Sequence, residues 1–419
     1  MLYAVFSEQK DRNELFTTHH SLFTFLPFYA KITNMSIIKI NDNSNKLFYI
    51  GGVVRDELLG RESLDVDITY VGNAIEYCSK FGEVVQVNPD FGTVRVAIPF
   101  HPSPCTTSPT VEASGEVTVD FASTRSESYP QKGHLPVVEK IGCSLKEDVM
   151  RRDFTINALA KSVTTGEIVD YVGGLEDLKN KKLRVLHDES FIDDPTRIIR
   201  GLKFATRFGF ELEEHTKKLQ DEYLANINYD MSYKRVKKEL IETFSLNSQS
   251  AFKAFIDQKI YKLVTPNDVE IPKVDVEKFI NKYLADQPSS CPATIWLVYV
   301  GILGDLSRLP LTKIEQKILD DVPKEVLKSD FELYKTFQNA RIETVLLYAI
   351  TKDETGARHY LDDLRKIKLD ITGKDLQTLG IKPSPKYQEI FDEVLKVKLK
   401  NPSMAKDDEI EEALSSYRK

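Results

Sequence analysis

"GGVVRDELLGRESLDVDITY", residues 51–70, places two aspartates in a segment that otherwise reads as a β-strand. Strand alternation puts the side chains of Asp65 and Asp67 on the same face, a short distance apart. Their repulsion destabilises the strand unless a positive group neutralises it. Magnesium can do so, because it takes hard oxygen ligands and shares them between carboxylates and substrate phosphates. Taken alone, such a pair is more often a solvent-exposed strand face.

The residues just before this strand favour a phosphate site. Gly51 and Gly52 end one predicted strand and open a short helix, so their backbone N–H groups can approach a phosphate at the positive helix end. Arg55, one turn into the helix, adds a guanidinium that can pair with the same anion. Because each part needs the same ligand, the combination predicts a site for a nucleoside triphosphate with magnesium (Mg2+).

Two-metal phosphoryl chemistry needs a third carboxylate as well. Asp120, in the predicted strand "VTVDFAST", lies later in the same small sheet and is the candidate. The alternative for this residue by itself is an ordinary aspartate at a strand edge.

The composition excludes several classes of protein. The 419 residues exceed one ordinary core, and 41% hydrophobic with 29% charged residues is typical of a soluble globular protein. No apolar run reaches the about 20 residues that cross a bilayer, so no membrane partner is expected. The net charge of -7 argues against a uniformly basic nucleic-acid-binding protein but permits a local basic groove. The four cysteines form no CxxC pair, which favours the reducing cytoplasm and neither a zinc site nor a disulfide framework.

Periodicity predicts an α+β fold, with a small mixed β-sheet head followed by an all-helical remainder. Strand-like segments run from Lys46 to about residue 145, and "NAIEYCSKF" reads as a helix opened by Asn73. Beyond that point the pattern is helical, interrupted only by "EIVDYVGG", which predicts a short hairpin. Residues 1–34 carry mixed charge, which favours an unstructured extension, or a true start at Met35, over a targeting signal.

Four motifs in order resemble the signatures of the tRNA nucleotidyltransferase and poly(A) polymerase family, of the class (class II) typical of bacteria and eukaryotes. They are "GGVVRDELLGRESLDVDI", "RRDFTINALA", "VDYVGGLEDLKNKKLRVL" and "DDPTRIIRGLKFATRFGF". The segment "ITGKDLQTLGIKPSPKYQEIFDEVL" is similar to a tail element of many members. The resemblance implies an N-terminal extension (1–45), a catalytic head (46–185), a helical neck that recognises the base (186–245), and a helical body and tail that bind tRNA (246–419).

By resemblance, Arg152 and Asp153 lie near the ribose of the bound nucleotide, and Asn157 lies near its phosphates. An aspartate and an arginine can together satisfy a 2′-hydroxyl, which distinguishes a ribonucleotide from a deoxyribonucleotide. The alternative is that Asp153 caps an apolar helix that follows it, since aspartate is a good N-cap residue. The two roles are compatible.

The helix predicted to start at Pro195 carries the residues that the resemblance assigns to base recognition, Asp194 and Arg197. Cytosine and adenine both offer an amino donor beside an unprotonated ring nitrogen, which a carboxylate and a guanidinium can match. Uracil and guanine present the opposite order, at a loss of roughly 1–3 kcal/mol per contact. Arg200 would contact the triphosphate, and Lys203 stands where many relatives have arginine. The predicted basic stripe of this helix consists of Arg197, Arg200, Lys203 and Arg207.

The implied activity is template-independent addition of CMP, CMP and AMP to the 3′ end of tRNA. Asp65, Asp67 and Asp120 would hold magnesium, and the tRNA hydroxyl would attack the α-phosphate of CTP or ATP. "ASTRSESYPQKGHLPVVEK" resembles a mobile loop that relatives use to switch from C to A addition. An additional phosphohydrolase domain is expected to be absent. Alternatives are a poly(A) polymerase, a CC-only or A-only adding enzyme, and a non-catalytic RNA-binding relative.

Overall fold

The computed structural model describes residues 40, 42–63, 66–100, 115–284 and 294–418. Asp65, Cys105, Cys291, most of the predicted extension and most of the Pro/Ser/Thr-rich loop after Phe100 lie outside this part of the chain. The chain forms two compact units. Unit one comprises the chain up to Arg125 with 140–148 and 159–169, and unit two comprises 126–139, 149–158 and 170 onward.

Eleven strands and eighteen helices occur among the described residues. The strands are β1 Leu47–Ile50, β2 Asp67–Tyr70, β3 Glu83–Asn88, β4 Thr93–Phe100, β5 Gly115–Ser123, β6 Arg125–Ser128, β7 Val137–Ile141, β8 Ala160–Ser162, β9 Ile168–Val169, β10 Lys182–Leu183 and β11 Glu211–Leu212. The helices are α1 Gly52–Leu58, α2 Ala74–Cys78, α3 Leu145–Met150, α4 Gly174–Lys179, α5 Ser190–Asp193, α6 Thr196–Phe208, α7 Glu214–Ala225, α8 Tyr233–Phe244, α9 Gln249–Asp257, α10 Val276–Leu284, α11 Ile295–Val300, α12 Lys313–Asp320, α13 Asp330–Phe337, α14 Ile342–Thr351, α15 Glu354–Asp362, α16 Gly373–Thr378, α17 Lys386–Lys400 and α18 Lys406–Arg418.

Unit one is built on a seven-stranded mixed sheet in the order β3-β4-β5-β2-β1-β8-β9. Strands β2 and β5 are parallel, and the other neighbouring pairs are antiparallel. Alternation gives the sheet one apolar face: Ile68, Phe121 and Val94 lie side by side in register and are at most 1% exposed. Phe81, from the turn after α2, stacks on Phe121 with ring centroids 5.8 Å apart. The predicted α+β class is confirmed.

Several predicted boundaries agree with the structure. Asn73 opens α2, because its side chain accepts a hydrogen bond from the Ile75 N–H at 3.1 Å. Pro195 is the N-cap position of α6, and the Asp194 carboxylate accepts from the Thr196 N–H at 3.1 Å. The hairpin predicted at "EIVDYVGG" is formed by β8 and β9.

The helix predicted after Asp153 is wrong, and Asp153 therefore has no helix to cap. Residues Thr155–Asn157 form a single 3-10 turn. The backbone here pairs with a later segment instead: Thr155 N–H donates to the Arg184 carbonyl at 2.9 Å, and Phe154 forms a bridge with Val185. Long-range pairing has taken the backbone groups that a helix would have used internally.

Two further expectations about regular structure are wrong. The segment predicted as a loop after Asp120 contains a two-stranded sheet, β6 with β7. The helical remainder contains a second strand pair besides the predicted hairpin, because β10 and β11 pair in parallel. Two-residue strands of this kind carry too few residues to show a period of two in sequence.

The helices of unit two pack around aromatic side chains. Phe244 stacks on Tyr299 with centroids 5.0 Å apart and meets Phe255 edge-on at 5.2 Å. The C-terminal helices α16–α18 enclose a core cluster of their own, formed by Ile371, Leu376, Ile381, Ile390, Val394 and Ala413. Among the described residues, no helix combines the length and apolar character that a membrane span requires.

Candidate functional site

The predicted site residues fall into two groups that belong to different units. Gly51, Gly52, Arg55, Asp67 and Asp120 lie in unit one. Unit two contains the residues expected around the ribose, the base and the triphosphate, namely Arg152, Asp153, Asn157, Asp194, Arg197, Arg200 and Lys203.

Asp67 and Asp120 face each other across two parallel strands. Asp67 is the first residue of β2 and pairs in register with Asp120 of β5. Residues opposite in register share a sheet face, so both carboxylates lie on the side opposite the apolar row of Ile68 and Phe121. Asp67 is exposed and Asp120 is partly exposed. The sheet thus presents Asp67 and Asp120 side by side on its open face, and Asp120 lies in the same sheet, as predicted. The predicted placement of Asp65 beside Asp67 stays a prediction, because Asp65 lies outside the described residues.

Arg95 extends this row by one strand. It pairs in register with Asp120 across β4 and β5, and its guanidinium binds that carboxylate through two parallel hydrogen bonds. Arg95 Nε donates to Oδ1 at 2.7 Å, and NH2 donates to Oδ2 at 2.8 Å. The two side chains are 43% and 45% exposed. The open face therefore carries an Asp–Asp–Arg row, of which the sequence predicts only the acidic members.

The chemistry of this row fits magnesium. Its carboxylate oxygens are hard ligands, and Mg2+ is commonly held by one or two carboxylates together with substrate phosphates and water. Within the described ranges there is no group of three His, Cys, Asp or Glu residues placed to hold a metal ion. The described residues thus provide two neighbouring ligand side chains, and the remaining ligands would have to come from Asp65, substrate or solvent.

The glycine turn before α1 has the backbone conformation that requires glycine. Gly51 adopts φ 74° and ψ -124°, a region that residues with a Cβ rarely enter, and its N–H donates to the Leu159 carbonyl at 3.2 Å. Arg55 is 4% exposed, and its NH2 lies 2.7 Å from Oδ1 of Asp56. The structure therefore places this guanidinium beside a buried carboxylate, and its contact with a phosphate stays a prediction.

Asp153 is the centre of a buried polar cluster in unit two. Its Oδ1 accepts from Asn157 Nδ2 at 2.9 Å, and its Oδ2 accepts from Arg200 Nε at 2.8 Å. Burial alone would raise the pKa of Asp153, but the Arg200 charge and the Asn157 amide outweigh it, and the pKa lies well below its ordinary value. Arg152, the neighbouring residue, is half-buried. Three of the predicted nucleotide-binding residues are thus in direct contact.

The basic stripe predicted on α6 is largely not solvated. Arg200 bridges Asp153 and Glu239, with NH1 3.2 Å from Glu239 Oε1. Lys203 is 8% exposed, and its Nζ lies 2.7 Å from Glu239 and 2.5 Å from Glu242. Burial alone would lower the pKa of Arg200. The charges of Asp153 and Glu239 outweigh burial, so the pKa lies above its ordinary value. The glutamates of α8 therefore neutralise this part of the stripe.

Asp194 and Arg197, at the start of α6, are 4% and 3% exposed. Arg197 is fixed by three groups: NH1 donates to Ser190 Oγ at 2.6 Å, and NH2 donates to Tyr129 Oη at 3.2 Å and to the Arg151 carbonyl at 3.0 Å. Both side chains are held in set orientations, as a rigid template for a flat base requires.

Arg235 is the other partner of Asp194, and it reaches two segments at once. Its NH2 donates to the Asp194 carboxylate, and its NH1 donates to the carbonyl of His134 at 3.2 Å. Sequence reasoning missed Arg235, together with Glu239, Tyr129, Ser190 and Arg95. The cationic and acidic members of α8 recur at helical spacing, but a solvated helix face has the same pattern.

The chain is similar to known tRNA nucleotidyltransferases in sequence. Residues 47–184 match the family model described as the poly A polymerase head domain. The chain is 31% identical over 416 aligned positions to an A-adding tRNA nucleotidyltransferase of Geobacter sulfurreducens, an alignment covering 87% of this chain and 44% of the relative. It is 28% identical over 409 positions to a CCA-adding enzyme of Bacillus pumilus, covering 90% and 94% of the two chains. The chain thus spans less than half the length of the first relative and nearly all of the second.

The fold is also that of a solved structure. A CCA-adding enzyme in apo form II superimposes with a TM-score of 0.72 at 25% sequence identity, and the match covers 88% of this chain and 92% of that one. The head and the helical remainder are therefore both within the matched region.

Proposed function

The chain belongs to the tRNA nucleotidyltransferase and poly(A) polymerase family, and we propose that it adds CMP, CMP and AMP to the 3′ end of tRNA. The reaction uses CTP and ATP: the tRNA 3′-hydroxyl attacks the α-phosphate in line, and pyrophosphate leaves. The enzyme would act in the cytoplasm, where Cys78 and Cys143, both buried and not in a disulfide, stay reduced.

The observation that carries this proposal is the register of β2 with β5, which sets Asp67 directly beside Asp120 on the open face of the sheet. A binding module has no need of two adjacent exposed carboxylates, because their repulsion is unfavourable. Magnesium held there would act as a Lewis acid that activates the attacking hydroxyl and neutralises the departing pyrophosphate. Asp65, the partner of Asp67 in sequence, is assigned to the same role.

Base selection is assigned to Asp194 and Arg197. The carboxylate accepts from the exocyclic amino group of C or A, and the guanidinium donates to the adjacent ring nitrogen. Ser190, Tyr129 and the Arg151 carbonyl orient Arg197, so its geometry is set before a nucleotide arrives. Preorganisation of this kind favours the matching base because no ordering cost is added on binding.

The ribose and phosphates are assigned to the Asp153 cluster and the glycine turn. Asp153 and Arg152 would contact the 2′-hydroxyl, and Asn157 and Arg200 would contact phosphate oxygens. Arg200 is 31% exposed at its side chain, so part of its guanidinium can reach a ligand while its ion pair with Asp153 stays intact. The helices of residues 246–419 would hold the folded tRNA through phosphate contacts that read shape more than sequence.

The test is nucleotide incorporation with Mg2+ on three RNAs: a tRNA that ends before the first C, a tRNA that ends in CC, and an unstructured RNA. We expect addition of C, C and A to the first tRNA, of a single A to the second, and little addition to the third. Asp67→Asn should lower kcat by at least about 100-fold while leaving tRNA affinity unchanged, because it removes a metal ligand and not an RNA contact. Asp221→Asn, at an exposed ion pair on α7, is the matched control.

A second candidate function is addition of the terminal A alone, which the name of the Geobacter relative favours. It predicts AMP incorporation on the tRNA that ends in CC, without CMP incorporation on the shorter tRNA. Long A tails on the unstructured RNA would instead indicate a poly(A) polymerase. Retained tRNA binding without any incorporation would contradict an enzymatic role altogether.

A further inference from the structure

Arg95 occupies both oxygens of a carboxylate that the proposed function assigns to metal binding. Nε and NH2 of its guanidinium donate to Oδ1 and Oδ2 of Asp120 at 2.7 and 2.8 Å, a fork-to-fork pair. Arg95, Asp120 and Asp67 lie in one register row across β4, β5 and β2. The cation therefore lies on the same open face as the carboxylates, next to Asp120 and separated from Asp67 by the intervening strand β5.

A divalent cation and a guanidinium compete for the same oxygen atoms. A carboxylate that accepts two parallel N–H bonds in its plane uses one lone pair on each oxygen, and these are the lone pairs that a metal ion bound by both oxygens would also take. Like charges held on one small group repel each other as well. Binding of a cation at Asp120 in the geometry shown is thus opposed by the guanidinium already present.

The energetics favour exchange over a permanent brace. The side chains of Arg95 and Asp120 are 43% and 45% exposed, and ion pairs of that exposure contribute about 0.2–1 kcal/mol to stability. The register of β4 with β5 extends over eight residue pairs from Thr93 to Phe100, so the strands do not depend on this one contact. Releasing the guanidinium therefore leaves the sheet intact.

We propose that Arg95 is an internal counter-cation of the metal site, which holds Asp120 in the metal-free enzyme and which Asp120 exchanges for a divalent cation. Before exchange, the positive charge offsets the repulsion between Asp67 and Asp120. After exchange, the guanidinium stays on the same sheet face as the two proposed metal ligands. The inference rests on the proposed function, because it takes Asp67 and Asp120 as ligands.

The test measures binding of Mn2+, a spectroscopic substitute for Mg2+, to the full chain without nucleotide, from the free-ion signal in electron paramagnetic resonance. Arg95→Met should lower the Kd for Mn2+ about fivefold, since a competing ion pair of about 1 kcal/mol is removed. Arg95→Lys keeps the charge but loses the fork, so its Kd should fall about twofold. The melting temperatures of Arg95→Lys and Arg95→Met show whether each variant is folded.

Lys161→Met is the matched control, because it removes one positive charge from the same sheet. Lys161 Nζ lies 2.7 Å from Glu57 Oε1, and neither residue belongs to the site. Its Kd should change by less than about twofold, the effect of one more distant, solvent-screened charge. Asp67→Asn shows whether the measured ion is bound at the row.

The outcomes of the Mn2+ measurement distinguish failure of the proposed exchange from failure of the assigned metal ligands. If the wild type binds Mn2+ through Asp67, and Arg95→Met binds it no more tightly than Lys161→Met does, the exchange is refuted and the proposed function stands. If neither the wild type nor Arg95→Met binds Mn2+ in a manner that depends on Asp67, both the exchange and the assigned metal ligands are refuted. A fivefold gain for Arg95→Met alone supports the exchange.

Discussion

Asp153 is a residue whose charge affects stability and to which the proposed function also assigns a ligand contact. It is 9% exposed and lies between the Asn157 amide and the Arg200 guanidinium. The proposed function assigns its carboxylate to the ribose of the nucleotide. Burial would raise its pKa, and the positive charge of Arg200 more than reverses that effect. Asp153 is therefore ionised in the folded protein at neutral pH, and its charge is needed to balance Arg200.

Asp153→Asn should lower the free energy of unfolding by about 2 kcal/mol at pH 7, because Arg200 loses one of its two charged partners, keeps only Glu239 and remains partly buried. The folded pKa is lower than the unfolded one, so the stabilisation is present above the unfolded pKa, ordinarily 3.8, and is lost as pH falls through the folded pKa. The difference between wild type and variant should therefore shrink below about pH 4. Urea unfolding at several pH values measures it.

Asp221→Asn serves as the control for this series, because its exposed pair with Lys217 should contribute less than about 0.5 kcal/mol. A difference for Asp153→Asn that stays constant from pH 7 to pH 3 would contradict the lowered pKa. Equal losses in the two variants would contradict the central position of Asp153 in the cluster.

At the scale of elements, the connection between β6 and β7 is held by α5 and by the residues that lead into α8. Gly133 N–H donates to the Asp193 carbonyl at 2.9 Å, and its own carbonyl accepts from the Ser232 N–H at 3.0 Å. Lys132 Nζ lies 2.5 Å from the Asp193 carboxylate. Arg235 contacts both this connection and Asp194. A shift of the connection would therefore alter the position of the Asp194 carboxylate, which the proposed function assigns to base recognition.

Gly133→Ala tests this coupling. Gly133 has φ +80°, and an added Cβ would lie 2.9 Å from the Asp230 carbonyl oxygen and 2.9 Å from Met231 Cβ. Strain and crowding together should lower the free energy of unfolding by about 2–3 kcal/mol. The ratio of AMP to CMP incorporation should also change, as measured by labelling on the two tRNAs described above.

Gly166→Ala separates backbone strain from crowding, because Gly166 has φ +72° but open space around the added Cβ. It should cost only the backbone strain of about 1 kcal/mol and leave the incorporation ratio unchanged. An unchanged ratio in Gly133→Ala, despite its loss of stability, would show that this connection does not influence base selection.

Across the whole molecule, the net charge of -7 is at odds with the proposed polyanionic partner unless cations are locally concentrated. Many basic side chains in the described part are already neutralised by acidic neighbours, as Lys203 is by Glu239 and Lys398 is by Glu409. Cations for the proposed contact with tRNA would therefore be drawn from exposed positions on the body and tail helices, such as Lys386 and Lys400 of α17.

Binding of tRNA should weaken at least about tenfold when salt rises from about 50 to 200 mM, the effect of releasing counterions from roughly two or more phosphates. Fluorescence anisotropy of labelled tRNA gives the affinities, and the free energy of unfolding at the same salt concentrations is the control. A binding constant that does not respond to salt would contradict recognition through phosphates.

The sequence of a β-sheet head followed by helices, and the placement of Asp67 and Asp120 in one sheet of that head, follow from the sequence alone. Alternation in β2 and β5 reports burial on one face, so the positions of Asp67 and Asp120 on the open face are encoded in their immediate neighbours. The glycine turn and the start of α6 are equally local, because a positive φ at Gly51 and a proline at the helix entrance each restrict only their own few residues.

Tertiary structure alone decided which partner each charged group takes. Arg95 meets Asp120, Lys203 meets Glu239 and Arg235 meets Asp194 across 25, 36 and 41 residues of chain. A separate long-range contact, the backbone bridge between Phe154 and Val185, accompanies the single turn found where a helix was expected after Asp153. Local pattern reports burial and periodicity within a few residues, whereas these pairings depend on strand register and helix packing, which only the folded chain specifies.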